Sequence, residues 1–379
     1  MTEHKRKIKI LYLHNMAQIS GGERSLLNLW ENLDRGKFDP YLIIPQEGEF
    51  SREAKKAGIP VSCLEIPQIH PKNFFHLINI WLRLCQFLRS NKIDIIHSYS
   101  PRNNILSALA GKFLKVPVIW HERNLLYQDE PDITRKFFFL PERIICNSRA
   151  VARRFEQKKG AADKVKVILN GVNLDRYQPG QNSEALKKKF GPEGTKVVGM
   201  VTNLNKRKRV EFLLGAVPLI LQKYNNVKFL IVGGEFPSAD ENQLRELQTL
   251  SKNLGVQNQV VFTGFQDDVR PFLAALDVFV HVTVKEACSR AIIEAMAMGK
   301  PVIAMNDGGN PELVDQNMGI LVEPEDRESF VNAVVGLLRD EERCQEIGKN
   351  GRIRAEELFD VQKNARETEE VYLKLMPLR

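Results

Sequence analysis

The chain has 379 residues, 43% of them apolar and 27% charged, with a net charge of +8; it is too long for one hydrophobic core and too apolar for a disordered chain, so two globular domains are expected. No apolar stretch approaches a membrane span, since even Leu77 to Leu88 is interrupted by Arg83, and the polar opening Met1 to Lys9 is unlike a secretory signal. The five cysteines, Cys63, Cys85, Cys146, Cys288 and Cys344, are scattered without metal-ligand spacing, which predicts reduced thiols, a cytoplasmic setting and no structural zinc.

The first strand-like run, Ile8–Leu13, leads into Asn15-Met-Ala-Gln-Ile-Ser-Gly21-Gly22-Glu23-Arg24, a loop whose two glycines open the helical pattern Glu23–Leu33. Glycine there lets backbone approach a bound phosphate or sugar closely, although a plain turn fits the pair as well. The Gly-x-Gly-x-x-Gly spacing of a dinucleotide fingerprint is missing, which counts against a dehydrogenase. Strands Tyr41–Ile44, Ile93–His97, Val116–Trp120, Arg143–Cys146 and Val165–Leu169 follow, with the helix Asn73–Arg89 among them. Ahead of Arg143, the run Arg135-Lys-Phe-Phe-Phe139 sets cations beside aromatics. That composition suits a lipid interface, or a helix with its rings in the core and its cations outside.

The polar, Pro- and Gly-bearing segment Asn170 to Pro192 is the natural break. Beyond it come strands Lys196–Val201, Lys228–Val232, Val260–Phe262, Val278–Val280 and Pro301–Ala304, with helices Val210–Lys223, Ser238–Leu254, Arg290–Met298 and Arg327–Leu338. Glu341 to Met376 is helical by pattern. Strand and helix in alternation predict an α/β protein, two doubly wound Rossmann-like domains facing each other across a cleft. The expected division is residues 1–178, residues 179–360, and a helix in residues 361–379 packing back on the first domain. Ligands in such folds sit at the carboxyl ends of the strands, so the cleft is expected to hold the site. Residues 1–180 carry 29 Lys and Arg against 18 Asp and Glu, the remainder 26 against 29. The first domain is therefore the one built to meet anions, such as acidic lipid headgroups or phosphorylated acceptors. Nucleic acid is disfavoured, because the basic residues are dispersed and no recognition motif accompanies them.

Two features of the second half carry chemistry. The strand ending at Val201 runs into Thr202-Asn203-Leu204-Asn205-Lys206-Arg207-Lys208-Arg209, four consecutive cations suited to neutralising a pyrophosphate. Further on, Glu286-Ala-Cys-Ser-Arg-Ala-Ile-Ile-Glu294 holds two carboxylates beside an apolar helix. Ser289 suits the N-cap, which puts Glu286 in the loop before the helix and Glu294 inside it, with unpaired amides between them. Those amides and the helix dipole attract phosphate oxygens, while each carboxylate can accept from sugar hydroxyls. A solvated surface face is the competing reading of both features.

Gly21-Gly22, Asn170-Gly171-Val172-Asn173, Phe262-Thr-Gly-Phe265, the Glu286 and Glu294 pair with Ala-Met-Ala-Met-Gly-Lys-Pro-Val, and Gly308-Gly309-Asn-Pro-Glu312 occur in that order. With them the sequence resembles the retaining nucleotide-sugar glycosyltransferases of family 4, of the two-domain GT-B type, over nearly the whole chain. The resemblance implies that Glu286 holds hydroxyls of the donor sugar and Glu294 the nucleotide ribose, with the amides of Cys288, Ser289 and Ala291 meeting sugar and phosphates. Lys208 takes the place of the phosphate-binding lysine, and His121 that of a histidine beside sugar and acceptor. Gly22, Asn203 and Arg209 complete the implied donor site, and Gly21 and Arg24 join His121 at the acceptor. Two departures stand out. Asn203 occupies the place of the family's arginine, leaving the diphosphate to Lys208 with Lys206, Arg207 and Arg209 near it. Ala287-Cys288-Ser289 replaces Gly-Phe-Gly, adding side chains where bare backbone is usual.

The activity implied is retaining transfer of a hexosyl unit from a UDP- or GDP-sugar to an acceptor hydroxyl, with Glu286, Lys208 and His121 as the catalytic residues. No protein nucleophile, metal or cofactor is expected. A sugar or lipid-linked acceptor of cell-envelope synthesis fits the basic first domain, which would rest on the inner face of an anionic membrane. The rival readings are a nucleotide-sugar epimerase and a non-catalytic nucleotide-sugar binding protein, the latter suggested by the altered turn.

Overall fold

The computed structural model describes residues 6–67, 73–126, 131–235 and 242–376. The chain forms two compact units, one running to Gly171 and resuming at Val361, the other spanning Val172–Asp360. The first crossing falls between Gly171 and Val172.

The first unit is built on seven parallel strands: β1 (Ile8–Leu13), β2 (Phe38–Ile44), β3 (Val61–Cys63), β4 (Ile95–Ser98), β5 (Val118–Glu122), β6 (Arg143–Cys146) and β7 (Val165–Val167), in the order β3-β2-β1-β4-β5-β6-β7. The alternation of β1 shows why helices cover both faces. Ile10 and Tyr12 pack with Leu26 and Trp30 of the helix Gly21–Asn32, while Leu11 and Leu13 pack with Leu84 and Leu88 of the helix Phe74–Ser90 on the opposite face. The final helix, Val361–Leu375, joins the first of these layers through Ala365, Val371 and Tyr372. β2 begins at Phe38, earlier than Tyr41, and contains Pro40, which lies outside the Leu42–Ile44 stretch that β3 pairs. β5 runs to Glu122, so His121 lies near its carboxyl end.

In the second unit, six parallel strands follow the order β10-β9-β8-β11-β12-β13: β8 (Lys196–Val201), β9 (Val227–Val232), β10 (Val260–Phe262), β11 (Val278–His281), β12 (Val302–Met305) and β13 (Gly319–Val322). The helix expected from Ser238 is described as Gln243–Asn253, its expected start lying outside the described residues. The predicted helical stretch Glu341 to Met376 is two helices, Glu341–Leu358 and Val361–Leu375. They part where the Val172 amide donates to the Phe359 carbonyl at 2.7 Å and Val172 bridges Asp360. In each sheet the order reverses once, between β1 and β4 and between β8 and β11, which marks the carboxyl ends of those strands as the places to look for ligand groups.

Candidate active site

At the carboxyl end of β8 the chain turns through a short helical segment, Lys206–Lys208, and Arg209 takes a left-handed conformation before the helix Val210–Lys223. This geometry separates the four cations. Lys206 and Arg207 are exposed, while the Arg209 guanidinium meets Glu325 at 2.8 Å and lies over the Phe212 ring. Lys208 instead reaches across to the segment after β11, where its ammonium lies 2.6 Å from Glu286 Oε2. Asn203 is exposed, at the start of the same turn.

The loop carrying Glu286 is held on its other side by the Asp307-Gly308-Gly309 turn. Lys285, with φ of 52°, donates its amide to the Asp307 carboxylate, and the Gly309 amide donates to the Glu286 carbonyl at 2.8 Å. Burial works against charging Glu286, but Lys208 above all outweighs it and holds the carboxyl below its usual range. His281, ending β11, sits 4.0 Å from the same carboxylate, and burial pushes its imidazole down to about 4. Glu286 is therefore an ionised acceptor beside a neutral ring and a paired ammonium.

Ser289 caps the helix Arg290–Ala297 as the sequence predicts, its Oγ accepting from the Ile292 amide at 3.3 Å. Ala287, Cys288 and Ser289 are all buried, so their side chains occupy space inside the turn. Ala291, in the first helical turn, is half-buried. Glu294 projects from the same helix, buried, and accepts from Arg290 at 2.8 Å. The lysine of the Gly-Lys-Pro-Val run is structural, because Lys300 caps the carbonyls of Ala274 and Leu276 at 2.7 and 2.9 Å.

In the first unit, Gly21 and Gly22 form the opening turn of their helix, and Glu23 pins it by accepting from both the amide and hydroxyl of Ser20 at 2.8 and 2.5 Å. The other Glu23 oxygen lies 3.3 Å from His14 Nε2. Arg24 is exposed. Arg123 passes alongside this turn, donating to Ser25 and Asn170 at 2.9 Å each. His121 stacks on Tyr99 with ring centroids 4.6 Å apart, and its Nδ1 lies 3.2 Å from His97 Nε2. The sequence names His121 but not its partners His97 and Tyr99, nor His281. A signal for the histidines exists: Ile-Ile-His and Val-Phe-Val-His each set an imidazole at or next to the carboxyl end of an apolar strand.

The Phe137–Phe139 run divides between the two readings open to it. Phe137 packs against the core, whereas Phe139 is 54% exposed. A larger apolar face lies on other helices. Phe75, Ile78 and Leu82 share one side of Phe74–Ser90, and Leu109 and Phe113 one side of Pro101–Leu114, all exposed. The two helices meet where the Trp81 and Phe113 rings lie 5.1 Å apart, and Arg83, Arg89, Lys112 and Lys115 are exposed on them. Among the described residues no helix is long and apolar enough to cross a membrane.

Comparison with known proteins matches the chain in two parts. Residues 19–176 match the family described as Glycosyltransferase Family 4, and residues 182–354 that described as Glycosyl transferases group 1. The UDP-Gal:alpha-D-GlcNAc-diphosphoundecaprenol alpha-1,3-galactosyltransferase of Escherichia coli is 27% identical, over 98% of both chains. The N-acetyl-alpha-D-glucosaminyl L-malate synthase of Bacillus anthracis is 24% identical, over 83% of this chain and 87% of its own. Among solved structures, HepE of Anabaena in complex with UDP superposes with a TM-score of 0.85 at 24% identity, covering 97% of this chain and all of that one.

Proposed function

The chain belongs to the family 4 glycosyltransferases of GT-B architecture, and from that premise we propose that it moves a hexosyl unit from a UDP- or GDP-sugar to an acceptor hydroxyl with retention of anomeric configuration. The observation that carries this reading is the Lys208–Glu286 pair, joined at the reversal of the second sheet and set just before a capped helix N-terminus. Glu286 accepts from hydroxyls of the donor sugar. Lys208, with the amides of Cys288, Ser289 and Ala291, takes the charge that develops on the departing diphosphate, a task for preorganised donors rather than for a nucleophile. Glu294 accepts from the ribose. Gly22, Asn203 and Arg209 complete the donor site, the last on release from Glu325. His121, with Gly21 and Arg24, meets the sugar and the acceptor.

For the acceptor we propose a lipid-linked glycan or glycolipid. The E. coli relative is named for a diphosphoundecaprenol-linked acceptor, and the first unit has the charge to approach an anionic membrane, with 32 Lys and Arg against 20 Asp and Glu. Its exposed apolar face supplies what would rest among acyl chains. The Bacillus anthracis relative is named for a small acid instead, which makes a soluble acceptor the outcome to exclude. Incubation with UDP- and GDP-hexoses and either acceptor class, followed by anomer-resolved NMR of the product, tests the proposal. Inverted product, or nucleotide release that no acceptor accelerates, would overturn it.

A further inference from the structure

Four side chains of the first unit form one hydrogen-bonded line. The Tyr12 and Tyr372 hydroxyls lie 2.9 Å apart, Tyr372 lies 2.7 Å from His97 Nδ1, and His97 Nε2 lies 3.2 Å from His121 Nδ1. β1, the final helix, β4 and β5 each contribute one member, and all four are buried. Burial, with Arg123 assisting, pushes His97 down to about 3 and His121 well below its usual value, so both rings are neutral near pH 7.

A neutral imidazole donates from one nitrogen and accepts at the other, so the line has only two consistent directions. In one, Tyr12 donates to Tyr372, Tyr372 to His97 Nδ1, and His97 Nε2–H to His121 Nδ1. The hydrogen left over is then His121 Nε2–H, on a nitrogen with no partner among the described residues. In the other, every bond reverses and the leftover hydrogen is that of Tyr12. That hydroxyl is fully enclosed beside the Trp30 ring, whose indole N–H can only donate to it, so Tyr372 is the one acceptor for its hydrogen among the described residues. His121 Nε2 is buried without a partner among the described residues in either direction, as a donor in the first and as an acceptor in the second, and the second adds a buried hydroxyl hydrogen with nowhere to go, so the first direction is favoured, with its spare donor at the carboxyl end of β5.

We propose that the line runs from Tyr12 towards His121, and that Tyr372 on the final helix, acting through His97, fixes His121 as the Nε2–H tautomer. His121 is then a hydrogen-bond donor to an oxygen of the donor sugar or acceptor, not a base that removes the acceptor proton. This rests on the reading of His121 as a residue at the reacting sugar; Tyr372 and His97 are positioning residues.

The direct test is a nitrogen-15 histidine spectrum of the full chain without ligand, with signals assigned through His121→Asn and His97→Gln. Protonated Nε2 and unprotonated Nδ1 on both rings are expected, and a protonated Nδ1 on His121 overturns the assignment. Tyr372→Phe cuts the line in its middle and is expected to lower the turnover of transfer about tenfold, the scale of one hydrogen bond. Affinity for UDP or GDP alone by calorimetry should be unchanged, because Lys208 and Glu294 belong to the other unit. Phe38→Leu, which loosens the ring packed on Tyr372 without removing a polar atom, should leave turnover within about twofold. Equal losses in both variants would reduce Tyr372 to packing. Should Tyr372→Phe not fold, the spectrum of the natural chain still decides the direction. His121→Asn with undiminished transfer would remove His121 from the reaction, and with it the use proposed for the line, whatever tautomer the spectrum gives.

Discussion

Lys208 and Glu286 are 78 positions apart in the chain and 2.6 Å apart in the fold. One follows β8 and the other β11, neighbouring strands on either side of the sheet's reversal, so the sheet itself sets their separation. Each group is about a quarter exposed, and such a pair contributes less than about 1 kcal/mol to stability. Lys208→Ala is therefore expected to leave the melting temperature nearly unchanged while lowering transfer roughly 10²–10³-fold, the usual effect of removing one preorganised donor to developing charge. Glu286→Gln should also depress transfer. Near-normal donor consumption by either variant would dismiss the assigned roles.

Glu294 gives a different signature. It is buried, and Arg290 already engages one oxygen at 2.8 Å, leaving the other for a hydroxyl pair such as a ribose offers. Glu294→Gln should weaken nucleotide binding about tenfold, the scale of a lost charge-assisted hydrogen bond, and act on the donor KM more than on turnover. Ser289→Ala should instead cost about 1 kcal/mol of stability through the lost cap. Calorimetry with UDP and GDP separates the two, and unchanged affinity in the Glu294 variant would rule out the ribose contact.

Acid should destabilise the fold well above the ordinary carboxylate range. Burial is the chief cause that pushes His14 and His281 to about 4 and His97 to about 3. An unfolded imidazole takes its proton near pH 6.5, so between roughly pH 6.5 and 4 the unfolded chain binds protons that the folded chain refuses. The contribution of these rings is thus complete above pH 6.5 and lost on descent, at up to about 1.4 kcal/mol per pH unit for each ring. Glu286 acts in the same sense at lower pH, since its folded carboxyl is held down. The melting temperature is expected to be level from about pH 8 to 7 and to fall steeply below about pH 6. A level profile down to about pH 4.5 would mean these imidazoles are not buried and neutral.

The doubly wound character of both sheets was legible because buried stretches such as Ile10–Leu13 and Phe229–Val232 read as apolar runs between amphipathic helices. β3 and β13 went unnamed: β3, Val-Ser-Cys, offers a single β-branched residue where the equally short edge strands β7 and β10 each offer two, and β13 opens on a glycine. The same limit applies to the site. Glu286, Ser289 and Glu294 lie within one local motif, so spacing alone placed the cap and the carboxylates around it. Lys208 was named, but nothing local distinguishes it from Arg209, and only the left-handed turn at Arg209 sends one to Glu286 and the other to Glu325. The partner of His121, His97, comes from β4, and the partner of His97, Tyr372, from a helix that begins at Val361, distances over which sequence pattern carries no contact information.

Attachment to a membrane should depend on the two-helix apolar face more than on Phe137–Phe139, because Phe137 is spent on the core. Leu82 and Phe113 are each more than half exposed, and the cations beside them supply the long-range attraction. Binding to vesicles of anionic phospholipid is therefore expected, with none to neutral vesicles and a marked weakening between about 0.05 and 0.5 M salt as screening shortens the field. Leu82→Glu with Phe113→Glu should abolish flotation with anionic vesicles while sparing nucleotide affinity, since Lys208 and Glu294, proposed to hold the nucleotide, belong to the other unit. Charge alone would leave some binding in that double variant, and its persistence would shift attachment from the apolar face to the basic surface at large. Equal absence of the natural chain from anionic and neutral vesicles would end the membrane reading and return the acceptor to the soluble class.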